Sequence, residues 1–416
     1  MDNKSSKAGF SSEKLAAIAP MLQNVVDAGD LSGFVTLLFR KGEIAQVNTI
    51  GQRDIVTKAP MTRDTLFRIA SMTKPVTSVA ALMLMEEGKL RLEDPVTKWV
   101  PELADRRVLK TVDGDLDDTY PAPRAITIED LFTHRSGLSY AFSATGPIAK
   151  AYGKALGDPL NNDTTPDAWL KALGSLPLLY APGERLHYSV STDVLGFIVG
   201  RIEKKPFRDV LMERLFEPLG MADTDFYVPK EKRNRAATVY RQDPATGALN
   251  VLPFAPHDTP PAFCGGGGGL ISTADDYLQF ARMMMDKGML NGRRYLKPET
   301  VALMCTNRLT PEQRAIPFLG AIPMWDGMGF GLGVSIIDHP EKLGFLGMGA
   351  KGAFGWPGAF GTWWQADPAN DLIILYLIQN SVPLEPGAIA TLAAGQRMGA
   401  RAALPIFQRL VYDALA

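Results

Sequence analysis

The arrangement in this sequence best suited to covalent chemistry lies in Phe67-Arg68-Ile69-Ala70-Ser71-Met72-Thr73-Lys74-Pro75. Residues i and i+3 share a helix face, so Ser71 and Lys74 can touch if a helix starts at Ser71. Pro75 supports that start, because proline is tolerated in a first turn, where amides lack intrahelical acceptors. A serine hydroxyl is a weak nucleophile and needs a neighbouring base. A lysine amine serves where burial or a nearby cation favours its neutral form. The helix start adds partial positive charge, and the Ser71 amide could meet a developing oxyanion. The same spacing recurs in Ser11-Ser12-Glu13-Lys14, but there it sits in a polar amino-terminal helix with no strand before it. Ser71 has the required context of extended run, serine and apolar helix.

The whole chain has 416 residues, 46% hydrophobic and 21% charged, with 44 basic and 45 acidic side chains. That balance contains no block of like charge and argues against nucleic acid or an anionic membrane as partner. The two cysteines, Cys264 and Cys305, form no CxxC pair, and the four histidines are scattered, so neither a disulfide framework nor a metal site is expected. No apolar stretch is long enough for a membrane span, and the amino terminus lacks the apolar core of a signal peptide. A cytoplasmic location is the expectation.

The elements that must position Ser71 follow from periodicity. Residues 11–28 read as a helix that Pro20 could kink, and residues 33–39 and 44–50 as a hairpin through Lys41-Gly42. A short extended run over 66–70 feeds Ser71, and an apolar helix then continues to Gly88. Loops are expected over 110–124 and 139–165, the second holding Tyr140, Phe142 and Tyr152. A helix capped near Ser272-Thr273 follows the run Gly265–Gly269, which lacks the lysine of a P-loop and suits tight backbone passage. Residues 330–337, 360–365 and 372–378 read as strands, and a final helix covers 405–415. The fold class expected is α+β: an antiparallel sheet flanked by helices, built from residues 1–88 and 261–416, with 89–260 inserted as a mainly helical region.

Three segments carry a family resemblance. They are residues 67–75, Leu131-Phe132-Thr133-His134-Arg135-Ser136-Gly137-Leu138, and Pro182-Gly183 with Tyr188-Ser189. Together they resemble the serine β-lactamase-related superfamily of class C β-lactamases, DD-peptidases, family VIII carboxylesterases and lovastatin-type acyltransferases. The resemblance implies that Tyr188 shares the serine proton with Lys74. A phenol and an ammonium have similar reference pKa values, about 10 and 10.4, so a proton passes between them at modest cost.

Two departures narrow the expectation. Val190 stands where class C relatives carry an asparagine, and no Lys-Thr-Gly occurs. In its place is Phe354-Gly355-Trp356-Pro357-Gly358-Ala359-Phe360-Gly361, similar to the Trp-Gly-Gly variant of family VIII esterases. Losing that lysine removes a cation suited to a β-lactam carboxylate, and Trp356 adds an apolar wall, both favouring a neutral ester. The resemblance makes the Ala359 amide the second oxyanion donor beside that of Ser71, with Trp356 and Gly358 lining the substrate. Lys342-Leu343-Gly344 and Lys351-Gly352 are rival third motifs. His134 reads as a turn histidine, because no Gly-x-Ser-x-Gly exists to pair with it. Trp325, Phe354, Tyr140 and Phe142 are candidates for the pocket wall.

The reading is a serine carboxylesterase acting on short- to medium-chain esters through a Ser71 acyl-enzyme, with no cofactor and no metal. Its alternatives are an amide hydrolase of the β-lactamase or DD-peptidase kind and an acyltransferase using the same nucleophile. Its partner is a small-molecule ester; oligomeric state is not legible.

Overall fold

Lys41 and Gly42 both take positive φ, 51° and 81°. This two-residue turn matches the twist of the strands it joins, β1 (Gly33–Arg40) and β2 (Glu43–Asp54). They belong to an eight-stranded sheet in a computed structural model that describes residues 8–243, 246–381 and 399–415. The other strands are β3 (Ala59–Pro60), β4 (Met328–Phe330), β5 (Ser335–Ile337), β6 (Phe354–Pro357), β7 (Trp363–Asp367) and β8 (Leu372–Leu377). Their order is β4-β5-β6-β7-β8-β1-β2-β3, and every pairing is antiparallel. β1 and β8 join in register from Val35 opposite Leu377 to Arg40 opposite Leu372, so the two ends of the chain meet in mid-sheet.

Alternation along β1 and β8 decides which helices cover which face. Phe34, Leu38, Ile374 and Tyr376 pack on one side with Ile18 and Leu22 of α1 (Ile18–Asp27) and Phe407 and Val411 of α5 (Gly399–Asp413). Val35, Leu37, Ile373 and Leu375 enter the larger core on the other side, under α4 (Ala274–Met285). That core continues without a break through Leu131, Val194 and Phe216, so the sheet and the helical middle share it.

Two helices in that core are buried almost all round, apolar on most sides and with their buried polar side chains gathered toward the amino ends. In α2 (Thr73–Glu86) every residue from Thr73 to Leu82 is buried, and in α3 (Ser191–Glu203) every residue from Ser191 to Gly200. They pack on each other, and burying each Val or Leu there contributes roughly 1.5–3 kcal/mol.

Several expectations needed correction. The amino-terminal helix is broken at Ala16-Ala17 into Ser12–Leu15 and α1, and Pro20 sits harmlessly in the first turn of the second piece. Residues 330–337 are not one strand; Gly333 at φ +91° turns β4 back into β5. The stretch 110–124 contains a strand, Thr119–Pro121, paired with Arg107–Leu109, and 139–165 contains the helix Gly146–Leu156. Ser11 caps its helix by accepting from the Lys14 amide, a structural role for the second serine–lysine pair. Among the described residues no helix is long and apolar enough to cross a membrane, and no group of His, Cys, Asp and Glu side chains could hold a metal.

Candidate active site

The run leading to Ser71 is pinned before it turns. Phe67 and Arg68 pair with Ser272 and Ile271, and Gln379 bonds both the amide and the carbonyl of Arg68 at 3.0 Å. Ala70 then takes a positive φ of 43°, which costs a non-glycine residue roughly 1 kcal/mol and tips Ser71 off the end of the strand. A single 3₁₀ turn, Ala70–Met72, precedes α2, so regular helix starts at Thr73 rather than Ser71. The i, i+3 geometry survives: Lys74 Nζ lies 3.1 Å from Ser71 Oγ.

Lys74 is 1% exposed and has two further contacts. Its Nζ donates to the Gly267 carbonyl at 2.6 Å and to the Tyr140 hydroxyl oxygen at 3.2 Å. A carbonyl accepts only, which commits one N–H to Gly267. The Tyr140 hydroxyl donates to Asp193 Oδ2 at 3.3 Å, which leaves its oxygen to accept from Lys74. Burial, then the charges of Asp193 and Tyr188, holds Tyr140 well above the usual phenol range, so it keeps its proton. Two of the three amine directions are therefore fixed, and the third points at Ser71. As an ammonium Lys74 donates there; as a free amine it accepts the serine proton without moving.

Asp193 closes the arrangement. Its Oδ1 accepts from the Gly267 amide at 2.8 Å, one turn into α3. Burial raises its pKa, and the Lys74 charge, the Gly267 amide and the Tyr140 hydroxyl partly offset that rise. Gly267 has no room for a side chain: a Cβ would lie 2.6 Å from both Tyr140 Oη and Asp193 Oδ2. The glycine run thus lets the backbone close over the lysine.

Tyr188 sits just ahead of α3 and is 7% exposed. Lys74 Nζ lies 4.6 Å from its ring centroid, over the face of the ring. Its hydroxyl accepts from Trp356 Nε1 at 3.1 Å and makes no hydrogen bond to Ser71 or Lys74 among the described residues. Trp356 is 1% exposed and packs on Tyr188, Phe318 and Phe330, so it is a support for the phenol more than an open wall. Val190 is buried at the cap of α3, and Asp193, not Val190, bonds the two groups that hold the lysine, Tyr140 and Gly267.

Beyond β6, the loop carrying Gly358 and Ala359 is tied to the backbone just ahead of Ser71. Thr362 Oγ1 donates to the Ile69 carbonyl at 3.2 Å, and a Cβ on Gly358 would come within 2.3 Å of that same oxygen. The Gly358 amide is used by the Thr362 carbonyl at 2.7 Å. The amides of Ser71 and Ala359 have no acceptor among the described residues.

Of the other candidates, Phe142 stacks on Tyr140 at 4.8 Å, and Trp325 reaches the cluster through Phe318. Phe354 packs on Trp364 and stands outside it. Lys342 and Lys351 are exposed. His134 is buried in a left-handed turn, φ 53°, with Nδ1 against Ser189 and its ring 4.7 Å from that of Tyr188. Burial holds its pKa well below the usual histidine range. Asp193 and the Gly267 carbonyl are what the sequence reasoning missed. The signal for Asp193 was its place five residues after Tyr188, in the first turn of the helix that follows it.

The Beta-lactamase family model matches residues 18–397. Protein Rv1367c of Mycobacterium tuberculosis is 52% identical over 396 residues, covering 95% of this chain and 97% of that protein. Esterase EstB of Burkholderia gladioli is 32% identical over 383 residues, covering 87% and 90%. Among solved structures, that of EstCE1, a hydrolase with promiscuous acyltransferase activity, superposes with a TM-score of 0.77 at 25% identity, covering 96% and 99%. The length of these matches and the fold beneath them agree: the chain belongs to the beta-lactamase family.

Proposed function

We propose that this serine hydrolase of the beta-lactamase family is a carboxylesterase that works through a Ser71 acyl-enzyme. The observation that carries the reading is the 3.1 Å contact between Lys74 Nζ and Ser71 Oγ, with the other two amine directions held by Gly267 and Tyr140. Ser71 Oγ attacks the ester carbonyl and its proton passes to Lys74. The oxyanion rests on the free amides of Ser71 and Ala359. The departing alcohol takes the Tyr188 hydroxyl proton, and Lys74, released from Ser71 Oγ once that oxygen is acylated, turns to reprotonate the phenol that Trp356 steadies. Water then enters by the reverse sequence and frees the acid.

Likeness to Esterase EstB supports an ester over a β-lactam, as do Val190 and the absent Lys-Thr-Gly. EstCE1's acyltransferase activity supports a second outcome, acyl transfer to an alcohol in place of water. The test is intact-mass spectrometry after a p-nitrophenyl phosphonate, alongside turnover of p-nitrophenyl butyrate and nitrocefin, with and without added alcohol. The expected result is one phosphonyl adduct, absent in Ser71→Ala, and ester turnover far above nitrocefin turnover. An adduct that persists in Ser71→Ala would sink the assignment.

A further inference from the structure

Arg68, three residues before the nucleophile, carries a charge that nothing among the described residues answers. Its guanidinium makes no hydrogen bond and no ion pair among the described residues. Several other arginines with restricted exposure have guanidinium partners: Arg135 pairs with Glu129, Arg201 with Glu102, Arg208 with Asp225, and Arg106 bonds two backbone carbonyls. Around Arg68 burial is the only influence on its acidity, pushing its pKa down to about 10, so it stays cationic at neutral pH. Taking an arginine partly out of water without a partner is a cost the fold does not recover by itself.

What surrounds the guanidinium is a cleft. Arg68 lines it together with Leu160, Asn161, Asn162, Phe226, His257 and Phe263. Its guanidinium carbon stands 4.1 Å from the centroid of Phe254, which meets Phe360 edge-on at 5.6 Å. Phe360 directly follows Ala359, and these side chains cluster with Ala70. Leu160 of the cleft and Ala359 belong to the same cluster, which joins the cleft wall to the segment around Ser71. The backbone of Arg68 is locked by Gln379 and by its pairing with Ile271, which fixes where the side chain begins.

We infer that the Arg68 guanidinium, unpaired among the described residues in a cleft of mixed polar and apolar lining three residues from Ser71, receives the carboxylate of an acidic ester. The inference rests on the esterase reading and revises one part of it, since loss of the third-motif lysine alone pointed to neutral substrates. A planar guanidinium offers two parallel donors to a carboxylate, and stacking on Phe254 holds the plane.

Two matched pairs of esters test it in the wild type, Arg68→Met and Arg68→Lys. Mono-p-nitrophenyl glutarate against p-nitrophenyl valerate places the carboxylate on the acyl side. 4-Butyryloxybenzoate against 4-methylphenyl butyrate places it on the alcohol side. The expected result is that the ratio of acid to neutral kcat/KM falls by at least about tenfold in Arg68→Met for one pair and is largely kept by Arg68→Lys. Ratios unchanged within about twofold for both pairs overturn the assignment and leave Arg68 as packing on Phe254. Calorimetric titration with glutarate separates this from failure of the esterase reading, because it needs no turnover. Binding by the wild type and Ser71→Ala but not by Arg68→Met supports the site; no binding by the wild type, or equal binding by Arg68→Met, overturns it. If Arg68→Met loses its native circular dichroism, Arg68→Gln takes its place in both measurements.

Discussion

The indole N–H of Trp356 donates to the hydroxyl oxygen of Tyr188 at 3.1 Å, across a contact buried from solvent. An N–H aimed at a phenol oxygen stabilises that oxygen whenever it carries negative charge, and it leaves the phenol proton to point elsewhere. Trp356→Phe keeps most of the packing on Phe330 and Phe318 and deletes the donor. Ester kcat is expected to fall by roughly tenfold to a hundredfold with little change in KM, the loss typical of one donor to a reacting oxygen. Steady-state kinetics checks it; an unchanged kcat would remove the hydrogen bond from the mechanism.

Asp193 and Tyr140 are expected to matter through Lys74. Asp193→Asn keeps an acceptor for the Gly267 amide and removes the negative charge behind the lysine. The amide nitrogen that replaces one carboxylate oxygen cannot accept from the Tyr140 hydroxyl, so Tyr140 loses its anchor beside Lys74 and kcat is expected to fall. Tyr140→Phe removes an acceptor at 3.2 Å and leaves one amine direction unanchored, and kcat is expected to drop by roughly tenfold or more. Steady-state kinetics with thermal unfolding on the same samples checks both variants; an unchanged kcat in either would remove that residue from the positioning of Lys74.

Gly267→Ala is a steric test of the closed glycine run. The added methyl would start 2.6 Å from Tyr140 Oη and Asp193 Oδ2, and neither can retreat without breaking a bond to the site. Overpacking of this kind costs about 1–3 kcal/mol of stability. Activity is expected to fall further than stability does, since the displaced groups position Lys74. Thermal unfolding and ester turnover on the same sample check this; full activity in Gly267→Ala would show that Lys74 does not need the carbonyl where it is.

Which parts of the site were legible in the sequence depends on distance along the chain. Ser71 and Lys74 are neighbours on one helix start, and local spacing alone brought them together. Tyr188 was legible only through motif resemblance, because nothing in its own segment says that α3 packs on α2. Trp356 was read as a wall because its residue type says apolar, whereas its role follows from where the indole N–H points, a tertiary fact. Gly267 and Asp193 escaped for the same reason: their functional atoms include a backbone carbonyl and a carboxylate whose partners lie in other segments. The sheet was predicted from its alternating strands, but the β4–β5 turn at Gly333 was not, since an apolar run of eight residues reads equally well as one strand or two.

His187 gives the protein a predictable acid sensitivity next to Tyr188. Burial pushes its pKa down to about 4, with the Arg185 charge adding to the effect, and its Nε2 lies 2.8 Å from Ser139 Oγ. In the unfolded chain a histidine titrates near 6.5, so below that pH the unfolded state takes the proton first. The stability His187 supplies is therefore complete above pH 6.5 and lost as pH falls toward 4, by about 2 kcal/mol between pH 7 and 5. Asp276 acts with the opposite sign: burial raises its pKa to about 6, so its contribution declines as pH rises from about 4. The difference between wild type and His187→Gln isolates the histidine from this opposing carboxylate. Urea unfolding at pH 7 and pH 5 should show the wild type losing more stability than His187→Gln by about that amount. Equal losses would mean that His187 is not held neutral in the folded protein.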